Sequence, residues 1–143
     1  HYRIESSYSL LQNIKLIAYP SKQEVARLKA RLKLFLYDAK ISILDPQTNQ
    51  WINGSIQQNF KILGSVFNIT WNGHRIQMKN EPLSFTAEII DESETLLAKF
   101  RLRPSSLFWA RVIDMNIFSK KYPKPLYFLA LAAIDHVVSK NNK

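Results

Sequence analysis

The stretch 123-PKPLYFLALAAIDHVVS-139 decides how the rest of the chain is read. Pro123 and Pro125 suit the first turn of a helix, where no backbone N–H is needed. From Leu126 to Ile134 every residue is apolar, so a helix over 123–139 has no wet face and must be buried all round. Residues 125–139 would make about 22 Å of helix, a length that fits inside a modest closed β-barrel. The alternative is a helix held between a sheet and a partner subunit. A membrane span is excluded, because the uncharged run Pro125 to Ile134 falls well short of the roughly 18 to 20 residues required.

Upstream of this helix the chain reads as short strands. Leu28, Ala30, Leu32, Leu34 and Leu36 alternate with Arg27, Lys29, Arg31, Lys33 and Phe35, the period of a half-buried strand with a basic outer side. A helix competes here, since Ser21 and Glu24 form a capping-box pattern and Val25, Leu28, Leu32 and Phe35 fit a helical stripe. Lys40 to Leu44 and Trp51 to Ile56 flank the turn cluster Asp45 to Asn49 and predict a hairpin. Phe60 to Leu63 and Val66 to Trp71 follow. Asn72-Gly73 then predicts a two-residue type I′ turn into His74 to Lys79. Phe85 to Ile90 and Leu96 to Leu102 flank Asp91-Glu92-Ser93-Glu94, and Leu107 to Asn116 is the last predicted strand. With no repeat, linker or low-complexity tract, residues 1–143 form one domain.

Composition narrows the chemistry. Three glycines and no GxGxxG or GxxxxGK[ST] pattern rule out a glycine-rich phosphate loop. The absence of cysteine excludes disulfides, thiol nucleophiles and thiolate metal sites, and a cytoplasmic location is the expectation. Lys15 and Lys22 interrupt the only apolar stretch near the start, so no signal peptide is expected. His1, His74 and His136 have no metal-binding spacing. Asp91, Glu92 and Glu94 read as a solvated tip, and Asp114 as one half of a structural pair with Arg111 or another base. No GxSxG or Ser-His-Asp arrangement stands out. No metal, cofactor or catalytic residue is assigned, and the chain is not expected to be an enzyme.

Several segments resemble the tubby-like superfamily, which includes the LURP-one and phospholipid-scramblase-like domains. Tyr122-Pro123-x-Pro125-Leu126 with the apolar helix and Asp135 is similar to the C-terminus of tubby domains. Trp71-Asn72-Gly73-His74, followed by Asp91-Glu92-Ser93 and Lys99-Phe100, is similar to the smaller relatives. Lys29-Ala30-Arg31 upstream of Lys40 to Asp45 looks like the Lys-x-Arg strand of tubby and the strand after it. The resemblance implies a closed antiparallel barrel of about eleven or twelve strands around the central hydrophobic C-terminal helix. It also favours the strand reading of Arg27 to Tyr37.

The net charge of +9 favours an anionic partner. Two basic ladders offer the means: Arg27, Lys29, Arg31 and Lys33, and then Lys99, Arg101 and Arg103. Alternate residues on a strand are about 6.5 to 7 Å apart, so two such side chains can grip neighbouring phosphates. The resemblance carries a phosphoinositide-binding role onto Lys29 and Arg31 only; the others follow from charge pattern. Lys120, Lys121 and Lys124 before the helix are weaker contributors. The expected function is therefore non-enzymatic recognition of anionic phospholipid headgroups by a peripheral protein at the cytosolic face of a membrane. An adaptor docked to protein partners in a larger assembly is the alternative. Nucleic-acid binding ranks lower, because Trp71 and Trp109 lie in apolar runs and read as core rather than as stacking platforms.

Overall fold

The computed structural model describes residues 2–8, 11–33, 36–59, 65–80, 86–102 and 113–141. They form β1 (Tyr2–Tyr8), β2 (Leu11–Ala18), β3 (Gln23–Lys33), β4 (Leu36–Asp45), β5 (Gln50–Asn59), β6 (Ser65–Trp71), β7 (His74–Asn80), β8 (Thr86–Ile90), β9 (Leu96–Leu102), β10 (Ile113–Ile117) and the helix α1 (Lys124–Asn141). All ten strands belong to one antiparallel meander in which each strand pairs with its neighbours in sequence.

The ambiguous segment is strand, but two strands rather than one. β3 ends at Lys33 and Tyr37 belongs to β4, paired antiparallel with Leu32. Ala26, Leu28 and Ala30 turn inward and are buried, while Arg27, Lys29 and Arg31 turn outward and are exposed. Burial of the apolar side outweighs the local helical stripe, since a strand here extends an existing ladder on both sides. The Asp45 turn closes as expected, with Asp45 accepting hydrogen bonds from the Gln47 N–H at 3.0 Å and the Thr48 hydroxyl at 3.1 Å. At the β6–β7 turn Asn72 and Gly73 both have positive φ, of 51° and 76°, as a type I′ turn demands. β1 and β2 are strands that the sequence reading did not identify. The expected strand Phe60 to Leu63 lies outside the described residues, as do Phe85 and the first part of Leu107 to Asn116.

The closed barrel of eleven or twelve strands is not formed. Among the described residues the sheet has ten strands in the order β1 to β10, and β1 and β10 pair on one side only, with β2 and β9 respectively. Closure would need first and last strands to share hydrogen bonds under a common tilt and shear. Instead, the apolar faces of β2 to β9 and the helix form a single core.

The helix also departs from all-round burial. Leu126, Tyr127, Leu129, Ala130, Ala133 and Ile134 are buried. Phe128, Leu131, Ala132 and Asp135, at helical spacing on the opposite side, are only half-buried. Apolar composition alone does not separate the two sides, which is why the sequence implied an enclosed helix. Tyr2 of β1 packs on that less buried side, its ring 5.2 Å from Phe128. Gln12 of β2 ties the helix to β4: its amide N–H donates to the Ala132 carbonyl at 3.5 Å, and its oxygen accepts the Tyr37 hydroxyl at 2.8 Å. Burial pushes the Tyr37 phenol well above its ordinary pKa.

Candidate anion-binding face

The first ladder becomes a site through its neighbours. Antiparallel register sets Lys29 opposite Lys40 of β4 and Asn13 of β2, and Arg27 opposite Ser42 and Lys15. On the far side of β4, Lys40 faces Ser55 and Ser42 faces Asn53, both on β5. Opposed residues in an antiparallel pair stand about 4.5 to 5.5 Å apart at Cβ, so these groups form a patch two residues deep and four strands wide. A depression of about 430 Å3 sits on it, lined by the polar Arg27, Lys29, Lys40, Ser42, Asn53 and Ser55 and by the apolar Ile41 and Gly54. Cations, hydroxyls and a carboxamide thus converge without a carboxylate in the lining.

Gly54 makes the floor possible. A Cβ at this position would run into the Thr70 carbonyl oxygen of β6 and press on Ile41 Cγ1 at 3.2 Å. Only glycine lets β5 and β6 approach this closely.

Not every member of the ladder is equally available. Arg27 is ion-paired with Glu24 and its guanidinium carbon lies 4.8 Å over the Trp51 ring. The pairing with Glu24, through hydrogen bond and charge, raises the Arg27 pKa further, against a small lowering by desolvation. Arg31 faces Asp38 across the β3–β4 ladder. Lys33 is the last residue of β3, but its side chain lies outside the described residues.

The second ladder is built differently. Lys99 is half-buried, between Glu88 of β8 and Asn116 of β10. Arg101 is exposed, between Thr86 and Asp114. A carboxylate therefore stands in register beside each cation, and Asp114 also lines the depression of about 400 Å3 at this edge. Arg103, expected to continue the ladder, and Arg111, the suggested partner of Asp114, lie outside the described residues. The two ladders are not brought together: β4 to β8 separate β3 from β9.

The other candidates have structural employment. Asp91 accepts the N–H groups of Ser93 and Thr95, each at 2.9 Å, and Glu92 accepts the Arg75 N–H at 3.1 Å. His74 meets the Tyr122 ring edge-on at 5.4 Å, and His136 lies 6.0 Å from Tyr37. No group of three His, Asp or Glu suited to a metal ion occurs among the described residues. Lys121 sits 5.6 Å over the Tyr122 ring, and Lys120 and Lys124 are exposed. Trp71 is buried as expected, its indole N–H donating to the Ile52 carbonyl at 3.1 Å. No helix among the described residues is long and apolar enough to cross a membrane.

Sequence reasoning missed Lys15, Lys40, Ser42, Asn53 and Ser55. The alternation Lys40-x-Ser42 and Asn53-x-Ser55 is visible in the sequence, but only register sets the first beside Lys29 and the second on the far side of the first. Comparison with protein-family models, curated proteins and solved structures found no match.

Proposed function

We propose that the chain is a non-enzymatic binding module for anionic phospholipid headgroups, phosphoinositides among them, which it takes on the β3–β5 face. The carrying observation is the cross-strand pair Lys29–Lys40, two like charges held opposite one another beside hydroxyl and amide groups. Like charges in direct opposition destabilise a sheet, so an arrangement of this kind is relieved by a bound anion. A phosphate between the two ammonium groups would also find donors for its remaining oxygens in Ser42, Asn53 and Ser55. Near an anionic bilayer each such cation contributes on the order of 1 kcal/mol, and Lys15, Lys29, Lys40 and Arg31 together suffice for peripheral attachment to a cytosolic leaflet. Membership of the tubby-like superfamily belongs to the same reading, on the strength of the Tyr122-Pro123-x-Pro125-Leu126 entry to the apolar helix first and of Lys29-Ala30-Arg31 second, and without a closed barrel.

A salt-dependent vesicle-binding series tests it, with phosphoinositide compared against phosphatidylserine. Lys29→Ala/Lys40→Ala should weaken binding to both, and Lys29→Ala/Arg31→Ala should do the same less strongly. Unchanged binding in both double variants would sink the proposal, and preference for an oligonucleotide over vesicles would favour nucleic acid instead. An adaptor docked to protein partners is the second reading, favoured by the separation of Lys99 and Arg101 from the first ladder.

A further inference from the structure

A purely electrostatic headgroup site has no use for an exposed indole, yet one stands at its rim. Trp51 is 40% exposed and shares the outer face of β5 with Asn53 and Ser55, which lie two and four residues further along the strand. Its ring is fixed by the Arg27 guanidinium, which is also held by Glu24. Next to it, residues 46–50 at the tip of the β4–β5 hairpin are all exposed. An indole is mostly apolar with one N–H donor, which suits it to the boundary between headgroups and acyl chains. Left in water it costs apolar exposure; placed beside cations it completes the amphipathic pattern of a surface that enters an anionic interface.

We propose that the β4–β5 hairpin is the membrane-entering end of this face. Trp51 enters the headgroup layer of an anionic bilayer while Lys29 and Lys40 rest on lipid phosphates. Arg27 keeps its stack on the indole and exchanges Glu24 for a lipid phosphate. The proposal rests on the lipid reading above and adds the orientation of docking and the source of the phosphate: a bilayer, rather than a free polyphosphate.

Bromine-labelled acyl chains supply the test. Wild-type protein is mixed with phosphatidylcholine vesicles carrying phosphatidylserine, with and without the label, and Trp51→Phe is subtracted to isolate Trp51 from Trp71 and Trp109. The expected result is a blue shift and bromine quenching of the Trp51 emission. Trp51→Ala should weaken vesicle binding about five- to tenfold at every salt concentration, in line with partial burial of one large apolar side chain. Lys29→Ala/Lys40→Ala should instead flatten the salt dependence, because it removes charge. Vesicle binding without quenching of Trp51 would overturn the insertion and leave the lipid reading intact. Equal shielding of Trp51 by soluble inositol hexakisphosphate would overturn it too. Failure of the wild type to bind vesicles would remove the lipid reading, and the insertion with it.

Discussion

The β3 and β9 ladders carry the same sequence pattern, a basic residue at every second position, and end in opposite surroundings. On β3, Arg27 and Lys29 meet Lys15, Lys40, Ser42 and Asn13 across the neighbouring strands, and carboxylates enter only at Arg31, which faces Asp38, and at Arg27, which is paired with Glu24 of its own strand. On β9 the outward cations meet Glu88 and Asp114. The first accumulates charge around a depression, and the second cancels it. Alternation tells which way a side chain points; the strands on either side decide whether it becomes part of a site.

The largest effect should come from the floor of the first face. Gly54→Ala forces β5 away from the Thr70 carbonyl, a backbone group that cannot swing aside, and should cost about 3 kcal/mol, at the upper end of overpacking penalties. Thermal unfolding measures it, and a melting temperature within a degree or two of wild type would show that the strands separate freely. Next in size, Lys29→Ala/Lys40→Ala should lower affinity for anionic vesicles by about tenfold or more, whereas Lys99→Ala/Arg101→Ala should change it less than about threefold. Equal losses would erase the contrast between the faces.

Alkaline pH probes the core beneath the first face. Burial raises the folded-state pKa of Tyr37, and burial together with Tyr122 pushes that of Tyr127 up to about 12. Both phenols bind their protons more tightly when folded, so their contribution is fully present below the unfolded value near 10 and is lost as pH rises above it. Urea denaturation from about pH 9 to 12 should show stability falling, with a shallower fall in Tyr37→Phe. At neutral pH the same substitution leaves Gln12 short of a donor and should cost about 1 kcal/mol. The smallest effect expected is a gain: Lys40→Gln removes a like-charge opposition and should add a few tenths of a kcal/mol at low salt, vanishing in high salt. A loss of stability in its place would mean that Lys29 and Lys40 do not oppose one another.

These contrasts mark how much could be read in advance. Inward Leu28 and outward Lys29 were legible because a strand half-buried on one side must alternate. The Asn72-Gly73 turn was legible because its backbone needs residues that tolerate positive φ. The helix was legible as an apolar element, and its lead-in prolines placed its start within a residue, but its half-buried side was not legible. The strand pair formed by residues 2–18 was not, although Ile14 and Leu16 alternate with Asn13 and Lys15. The open sheet was not legible either, since whether β1 meets β10 depends on twist and shear accumulated over ten strands. The site lay between these cases. Lys29 was found, but Lys40 became its partner only through the register of β3 against β4.

The strand order also has a consequence in time. Every pairing in the meander joins neighbours in sequence, so hairpins can form one after another as the chain emerges, at little cost in loop closure. The helix that completes their core comes after all ten. Until residues 124–141 have been made, the apolar side of a nascent sheet faces solvent, Leu28, Ile43, Phe67 and Ile89 included. A ribosome-stalled chain ending before Pro123 should therefore bind an apolar dye and engage chaperones, and release both once the helix is synthesised.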